Sequence, residues 1–391
     1  MKILILNNWS GLMHFFHQYV DHDSHEVHYL CDDSGVKAVR TFLDPDHIHG
    51  MTVVKDFDHR DEVLRAALSL HEAFPFERVI GVDEFSVLPA ARIRDELGIP
   101  GPRAADVELY RDKRLMKRRV AESGIRVPRE LGATVEADSF MPCVVKRPDG
   151  AAAMGVTICH TPEQAAAALA AATASVLVEE FVEGEVFHID GGYRDGQIVC
   201  VPHAYTNTCY RHYVNAQPIG SVKVDEPVLN QRLVEFAEKV VNALPLREGV
   251  FHLEVVRNQA DDLVFLEIAC RVGGGEIYRN FIDVYGMDLL KFHIEADLGL
   301  QPRLRRLGHK AAAGWLLMNF AQRPRTLTGF HCAALSAENC MYAMRSVKLG
   351  RQIEHAYDYI AFALRAATSE DIRRSIDELI AKVQLVTEPV Q

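Results

Sequence analysis

Hydrophobic and polar residues alternate through two stretches in the second half of the chain. The first covers residues 251–255, the second covers residues 264–268, and a short polar segment lies between them. Alternation with a period of two residues is typical of half-buried strands, and short polar residues favour turns. We therefore predict two neighbouring antiparallel strands in which Glu254 and Glu267 face each other.

The residues that follow this predicted pair suggest a catalytic role for it. Arg271 and three glycines at 273–275 come a few residues after Glu267. Two carboxylates on rigid strands suit Mg²⁺ ions shared with a polyphosphate, an arginine neutralises charge, and glycines let the backbone approach a ligand. The alternative is an ordinary polar pair on a solvated face, followed by a flexible turn. Spacing alone leaves both interpretations open.

The first hundred residues alternate between apolar segments and segments able to form helices. Strands are predicted at residues 2–6, 25–30, 52–54 and 78–82. This order is typical of an open, mostly parallel sheet, which binds ligands at the carboxyl ends of its strands. Asp83 and Glu84 follow the fourth strand. Asp83 fits a helix cap, and Glu84 is the candidate for meeting a substrate amine.

Composition limits the classes of function. The chain has 391 residues, 48% hydrophobic and 25% charged, which predicts two or three globular domains. A net charge of -11 argues against nonspecific binding to nucleic acid or anionic membranes. Because no signal peptide or membrane span is evident, we expect a cytoplasmic protein. The eight cysteines form no CxxC pair, so free thiols are expected.

Several segments, taken in order, resemble the ATP-grasp family. The segment GVDEFSVLPAARIRDELGIPG and the following YRDKRLMKRRVAESGIRVPRE resemble the end of its N-terminal α/β domain and its phosphate-binding lysine motif. By this resemblance Lys113 reaches the nucleotide phosphates. A basic helix is predicted over residues 111–123 and ends at Gly124, although such a charge run is also typical of a solvated face.

A second lysine and a loop extend the resemblance. A strand at residues 143–148 delivers Lys146 to its end, and small residues at 149–156 follow. The resemblance implies that Lys146 also contacts phosphate and that this loop closes over ATP, excluding water. It further implies that the strand at 176–184 and its exit contact the nucleotide base. The implied contacts there are Glu179, Glu180, Phe181 and Val182.

The ribose contact and the substrate loop are less well defined. The family carries a ribose-binding glutamate about seven residues after the first of these glutamates, where this chain has Val186. Glu185 or Glu183 is the substitute. The polar and aromatic segment 205–220 is a candidate specificity loop. Candidates for binding a carboxylate in or beside it are Arg211, His203 and His212, each of which also suits an ordinary structural role.

The predicted strand pair completes the resemblance. It implies that Glu254 and Glu267 hold Mg²⁺, with Mn²⁺ as an alternative ion, against the phosphates of ATP. Many members have an asparagine two residues after the second glutamate, whereas this chain has Ala269. That replacement resembles the branch of L-amino-acid ligases and dipeptide synthetases.

The same branch implies roles for the loop after the second strand. There Arg271 and the glycines, including Gly274 and Gly275, hold the acyl phosphate and the incoming carboxylate. His252 lies two residues before Glu254, on the same strand face, and is therefore expected near the metals. A lone histidine more often has a structural role.

The predicted architecture is α/β (α+β) with the ATP-grasp fold. It has an N-terminal open parallel α/β domain (1–107), a small lid domain (108–205) and a C-terminal catalytic domain (206–391). A helix at 229–243 packs behind the central strands. In the tail, strands are predicted at 312–320 and 356–366 and a helix at 369–384, while the segment 339–348 is ambiguous.

The resemblance implies an ATP-dependent carboxylate–amine ligase that forms an amide bond between amino acids through an acyl phosphate, releasing ADP and phosphate. Its partners are small-molecule carboxylates and amines, with a homodimer as a possible assembly. Three alternatives stay open. They are transfer of an amino acid to a carrier-protein thiol or metabolite scaffold, ATP binding without turnover, and biotin-type carboxylation with bicarbonate.

Overall fold

The structure is a computed structural model. It describes residues 1–8, 16–131, 140–305, 307–308, 311–319, 325–332, 339–345, 352–353 and 359–389. Within these ranges, no helix combines the length and the apolar character needed to cross a bilayer. The ends of three segments predicted in the tail lie outside the described residues.

The described strands are β1 (Lys2–Asn7), β2 (Glu26–Cys31), β3 (Gly50–Val53), β4 (Arg78–Ile80), β5 (Glu130–Leu131), β6 (Cys143–Lys146), β7 (Thr157–Cys159), β8 (Leu177–Glu180), β9 (Gly184–Arg194), β10 (Gln197–Tyr205), β11 (Ile219–Lys223), β12 (Glu248–Asn258), β13 (Leu263–Ala269), β14 (Ala312–Asn319), β15 (Arg325–Cys332), β16 (Cys340–Arg345), β17 (Gln352–Ile353), β18 (Tyr359–Ala366) and β19 (Val383–Pro389).

The described α-helices are α1 (Asp33–Phe42), α2 (Arg60–Ala73), α3 (Val87–Leu97), α4 (Ala104–Glu108), α5 (Lys113–Ala121), α6 (Pro162–Ala171), α7 (Cys209–Tyr213), α8 (Pro227–Ala243), α9 (Ile277–Asn280), α10 (Leu289–Asp297) and α11 (Ser369–Lys382). Short 3₁₀ turns lie at Phe16–Gln18 and Pro45–His47, and a π-helical turn at Phe281–Tyr285 follows α9.

The N-terminal sheet is parallel, with the order β3-β2-β1-β4. This confirms the predicted open parallel sheet, with strand ends shifted by one or two residues. β1 is a continuous apolar run because it lies at an inner position of the sheet, where residues 3–6 are fully buried. Asp83 accepts hydrogen bonds from the backbone nitrogens of Phe85 and Ser86, so it closes the turn before α3.

Helix α5 is shorter than predicted. Its N-cap is Asp112, whose carboxylate accepts hydrogen bonds from the backbone nitrogens of Arg114 and Leu115. Because this cap satisfies the first free N–H groups, the helix begins at Lys113 rather than at Arg111. A separate four-stranded sheet has the order β5-β8-β6-β7 and is antiparallel.

The largest sheet has eight strands in the order β13-β12-β9-β10-β11-β14-β18-β16, all antiparallel. Glu254 pairs with Glu267 across the β12–β13 ladder, which confirms the predicted register. On the other side of β12, strand β9 places His188 opposite Glu254 and Asp190 opposite His252. The sequence patterns had not indicated that β9 adjoins β12.

The two faces of this sheet differ in character because side chains alternate along each strand. One face carries Phe187, Ile189, Phe251 and Leu253, which pack in one buried cluster with apolar residues of α8. This confirms the predicted packing of that helix. The opposite face of the same strands therefore presents the polar set to the interior of the protein. That set is His188, Asp190, His252 and Glu254.

The tail adds three strands to this sheet and a further sheet of order β17-β15-β19. Strands β14 and β18 confirm the two predicted tail strands within the described residues, and the ambiguous segment contains β16. Helix α11 ends at Lys382, two residues earlier than predicted, because Val383 starts β19. Its side chains Ile372 and Ile376 pack against the sheet and bury this face.

Candidate active site

A cavity of about 1590 Å³ is lined by residues from the N-terminal, four-stranded and eight-stranded sheets. It collects every residue of the predicted site except Gly273 and two histidines. His203 and His212 are buried away from it, where they bond Tyr285 and the carbonyl of Gln217. The predicted residues that line the cavity are Glu84, Lys113, Lys146, Glu179, Glu180, Phe181, Val182, Glu183, Glu185, Arg211, His252, Glu254, Glu267, Arg271, Gly274 and Gly275.

Lys113 contacts both strand β13 and the segment that follows β6. Its Nζ lies 3.2 Å from Glu267 Oε2 and donates a 2.6 Å hydrogen bond to the carbonyl of Gly150. Burial alone would raise the pKa of Glu267, but the ammonium groups of Lys113 and Lys146 lower it to about 2. Glu267 is therefore a carboxylate at neutral pH, next to the glycine-containing loop that follows β6.

Lys146 and Glu179 form a buried ion pair that includes a third residue. Both Lys146 and Lys117 contact the carboxylate of Glu179, and all three side chains are almost fully buried. Burial and the charge of Lys146 lower the pKa of Lys117 to about 7. Burial also acts against the charge of Lys146, but Glu179 and Glu267 outweigh it and raise its pKa. Glu179 thus neutralises the charges of Lys117 and Lys146 at the position where a contact to the nucleotide base was predicted.

Two neighbouring acids at the predicted site for the nucleotide base, Glu180 and Glu185, pair with arginines at the surface. Glu180 accepts hydrogen bonds from the backbone and side chain of Arg129, both at 3.2 Å, and Glu185 pairs with Arg257. Their side chains still line the cavity, together with Phe181 and Val182. An apolar pair flanked by carboxylates can hold a flat heterocycle.

Glu254 contacts three side chains with its Oε1 atom. Tyr205 donates a 3.3 Å hydrogen bond to it, the thiol of Cys209 lies at 3.6 Å, and Nε2 of His252 lies at 3.6 Å. Glu254 and Glu267 are paired residues on adjacent strands and both line the cavity. A donor set of carboxylate oxygens that leaves room for further oxygen ligands fits Mg²⁺ or Mn²⁺.

A buried network of His188, Asp190 and His252 lies next to Glu254. Asp190 is fully buried, and its two oxygens lie 2.5 Å from Nδ1 of His188 and 2.8 Å from Nδ1 of His252. Nε2 of His188 bonds Ser221 at 2.7 Å. The three groups are close enough to hold a metal ion, but each imidazole already bonds its own carboxylate oxygen.

The charges of this network are mutually stabilised. Burial alone would lower the pKa of His252, but Asp190 raises it to about 9. Burial would raise the pKa of Asp190, and the two imidazoles hold it well below its usual range instead. Asp190 holds the protonated His252 through its Nδ1 atom, so that the Nε2–H group of His252 is directed at Glu254.

Arg271 is held by Glu84, which follows strand β4 of the N-terminal sheet. Its Nε donates a 2.5 Å hydrogen bond to Glu84, and its Nη1 bonds the carbonyl of Val272. Arg111 contacts the other oxygen of Glu84 and also bonds the carbonyl of Asp149 at 3.0 Å. Burial and the charge of Arg271 lower the pKa of Arg111 to about 10. Two guanidinium groups around one carboxylate leave an excess positive charge beside the cavity, which favours an anionic ligand.

Comparison with known families agrees with this geometry. The ATP-grasp domain family matches residues 110–275, which include both lysines, both glutamates and Arg271. Residues 110–275 form an ATP-grasp domain.

Relatives of the chain include two curated ligases of Bacillus subtilis. The chain is 25% identical to an L-arginine-specific L-amino acid ligase over 277 residues, which cover 66% of both proteins. It is 23% identical to an alanine–anticapsin ligase over 318 residues, which cover 71% of this chain and 66% of the relative. The chain therefore matches slightly less than two thirds of the length of each.

Solved structures show the same fold. The structure of an L-amino acid ligase from Bacillus licheniformis superimposes with a TM-score of 0.80 at 16% identity and covers 99% of both chains. An N5-carboxyaminoimidazole ribonucleotide synthetase from Thermotoga maritima gives a TM-score of 0.70 at 17% identity, again over 99% of both chains. The ATP-grasp fold thus extends beyond the matched domain to the whole described chain.

The site and its surroundings contain residues that the sequence patterns did not reveal. Lys117 lies one helical turn after Lys113 on the same face of α5, and this spacing was an available signal. Asp190, Arg111 and Glu276 carried no such signal, because their neighbours in the cavity wall come from distant segments. These four residues form part of the charge distribution of the site.

Proposed function

We propose that this protein is an ATP-dependent ligase that joins a carboxylate to an amine and uses amino acids as substrates. The observation that carries the proposal is one cavity that holds the paired glutamates of β12 and β13, two lysines and Arg271. The two curated relatives, an L-arginine-specific L-amino acid ligase and an alanine–anticapsin ligase, support it. Separate positive and negative centres in one cavity suit phosphoryl transfer and acyl transfer.

ATP is proposed to lie across the end of the cavity formed by α5, β6 and β8. Lys113 and Lys146 would contact its phosphates, because both side chains line this end of the cavity. Carboxylates hold their ammonium groups in place. Phe181 and Val182 would flank the base, and Glu183 or Glu185 would bond the ribose. The segment 149–156 would cover the phosphates, and its contacts to Arg111 and Lys113 tie it to α5.

Glu254 and Glu267 would hold Mg²⁺, or Mn²⁺ in its place, because carboxylate oxygens are the ligands that these ions prefer. When bound, the metal neutralises phosphate charge. The chain prepares the site in two ways. His252 and Tyr205 direct Glu254 into the cavity, and Lys113 keeps Glu267 ionised.

The proposed reaction has two steps. A substrate carboxylate oxygen attacks the γ-phosphorus of ATP, the bond to the bridging oxygen breaks, and ADP leaves. The amine of the second substrate then attacks the carbonyl carbon of the acyl phosphate, the carbon–oxygen bond breaks, and phosphate leaves while the nitrogen loses a proton. Activation is necessary because an ionised carboxylate has no good leaving group. Arg271 would bind the anionic oxygens in both steps.

The test is release of ADP and phosphate from Mg-ATP with amino acids offered singly and in pairs, with mass spectrometry of the products. The expected product has the summed mass of two amino acids less one water. If no amino acid stimulates release although ATP binds, amino acids are not the substrates. Parallel reactions with bicarbonate and with carrier-protein thiols then identify the acid or the acceptor.

We also propose the domain boundaries at residues 107/108 and 205/206 and a homodimeric assembly. Limited proteolysis with mass spectrometry should cut near these boundaries before it cuts the sheets. Light scattering coupled to gel filtration measures the mass of the assembly, and a monomer mass would contradict the dimer.

A further inference from the structure

Two buried cysteines face each other across the β6–β7 ladder. Cys143 of β6 pairs directly with Cys159 of β7, and both thiols are free and fully buried. Residues opposite each other in antiparallel strands have Cα atoms about 4.5–5.5 Å apart, which lies inside the range of about 4.4–6.8 Å that a disulfide spans. The register therefore allows the two sulfur atoms to bond without a shift of either strand.

The two thiols are close enough to affect each other. Burial raises the pKa of both, and the neighbouring thiol adds to this increase at Cys143 but opposes it at Cys159. Cys159 is thus the thiol of the pair that the other one helps to ionise. A thiolate beside a thiol is the arrangement from which a disulfide forms.

The cover over this pair is thin. The buried cluster around the two cysteines contains only Val145, Ala165 and Val178 in addition, and Ala165 is the buried residue of the alanine-rich helix α6. The other buried clusters of the described residues each have at least twelve members. Because few apolar contacts hold α6 in place, local opening that exposes the thiols costs less here than in the larger clusters.

The pair joins the two strands that carry the proposed phosphate cover. β6 ends at Lys146, the segment 149–156 follows, and the chain returns as β7, which is an edge strand with three register pairs to β6. The carbonyls of Asp149 and Gly150 bond Arg111 and Lys113. A nucleotide under this segment leaves only when the segment moves. A covalent bond between β6 and β7 restricts that movement.

We propose that Cys143 and Cys159 form a reversible disulfide that slows nucleotide exchange in the cavity. This inference rests on the proposed function, because it takes the segment 149–156 to cover the phosphates of ATP. It adds regulation of that site by the redox state of the lid sheet, which is the four-stranded sheet of β5, β8, β6 and β7.

The oxidant is a hydroperoxide, such as hydrogen peroxide. The thiolate of Cys159 attacks one peroxide oxygen, the oxygen–oxygen bond breaks, and a sulfenic acid forms while the other oxygen leaves as water. The sulfur of Cys143 then attacks the sulfur of Cys159, the sulfur–oxygen bond breaks, and a second water leaves. The two thiols give up two electrons and two protons in total, and the peroxide is reduced to two waters. A dithiol reductant reverses the reaction by thiol–disulfide exchange.

The test compares wild type treated with hydrogen peroxide and wild type treated with dithiothreitol. Mass spectrometry of non-reduced peptides identifies the cysteines that are linked. Stopped-flow fluorescence measures the dissociation of a fluorescent ADP analogue in the presence of Mg²⁺. Cys143→Ala and Cys159→Ala cannot form the bond. Cys200→Ala is the matched control, because it removes a partly buried free cysteine of β10 and keeps the pair.

Oxidised wild type should lose the mass of two hydrogen atoms and yield a linked peptide that contains Cys143 and Cys159. It should release the ADP analogue at least about fivefold more slowly than the reduced protein, and dithiothreitol should restore the rate. Cys200→Ala should behave as wild type. After peroxide, Cys143→Ala and Cys159→Ala should keep the rate of the reduced protein. Both variants retain Cys209 in the cavity, so an effect of oxidation at Cys209 would persist in them.

Absence of the linked peptide would overturn the inference, as would equal release rates for the linked and the reduced protein. Slow release by peroxide-treated Cys143→Ala would assign the effect to another cysteine and would also overturn it. In each case, amino-acid-dependent ADP release by the reduced protein would leave the proposed function intact. Failure of reduced wild type to bind the ADP analogue would contradict both proposals.

Discussion

Replacing Glu267 with glutamine should abolish activity and also reduce stability. Glu267→Gln keeps the shape of the side chain but removes the charge that pairs with Lys113 and the proposed metal ligand. ADP release should fall by at least about 100-fold, as expected when a group that organises charge in the transition state is lost. The loss of stability follows from the broken ion pair with Lys113, whereas the loss of activity follows from the missing metal ligand. The two measurements therefore test the two roles of Glu267.

The size of the stability effect follows from the pKa of Glu267. Its value of about 2 lies below the ordinary 4.5, and the difference corresponds to roughly 3 kcal/mol of stability at neutral pH. Since 33% of the side chain is exposed to the cavity, solvent screening reduces this, and we expect about 2 kcal/mol. Because folding lowers the pKa of Glu267, its carboxylate stabilises the folded state at pH values above the pKa that it has in the unfolded chain. The contribution is therefore lost as the pH falls from 4.5 towards 2.

The assay is urea unfolding of wild type and Glu267→Gln at several pH values between about 7 and 3, with ADP release measured on the same preparations. The difference in the free energy of unfolding should be largest near neutrality and should narrow in acid. Asp262→Asn is the matched control, because this exposed carboxylate in the turn between β12 and β13 pairs with Arg126 at 3.1 Å. It should change stability by less than about 0.5 kcal/mol and leave activity intact.

Two outcomes would refute this reasoning. Full ADP release by Glu267→Gln would remove Glu267 from the metal site. A stability difference that stays constant from neutral to acidic pH would show that the charge of Lys113 does not stabilise the carboxylate.

Three further predictions concern the buried charges. His252→Gln should destabilise the protein by about 3 kcal/mol below pH 6.5, and the difference should vanish as the pH rises through about 9, because Asp190 raises the pKa of His252. Urea unfolding across this range measures it, and a constant difference would contradict the assignment. Glu179→Gln should lower stability by about 3–5 kcal/mol in thermal and chemical unfolding, because it leaves two buried ammonium groups without their carboxylate; a loss below 1 kcal/mol would argue against that pairing. Arg271→Lys should keep the fold but lower ADP release by about 100-fold, since a lysine cannot bond both Glu84 and an anionic substrate in the same fixed geometry; near-normal turnover would exclude a role for the guanidinium.

Much of the architecture was determined locally by the sequence. Apolar–polar alternation predicted β12 and β13 and the pairing of Glu254 with Glu267, because side-chain period and turn position set the register of neighbouring strands. The parallel N-terminal sheet and helices α8 and α11 followed from periodicity in the same way. The resemblance to the ATP-grasp family was carried by short motifs in order, and the match over residues 110–275 confirmed it.

Tertiary structure alone decided which charges meet. Glu84 bonds Arg271 across 187 positions of the chain, and Asp190 bonds His252 across 62. These contacts depend on sheet order and on the packing of separate sheets around one cavity, neither of which leaves a periodic trace in the sequence. For the same reason the patterns did not single out Glu276, whose burial arises only when the loop after β13 packs against β14.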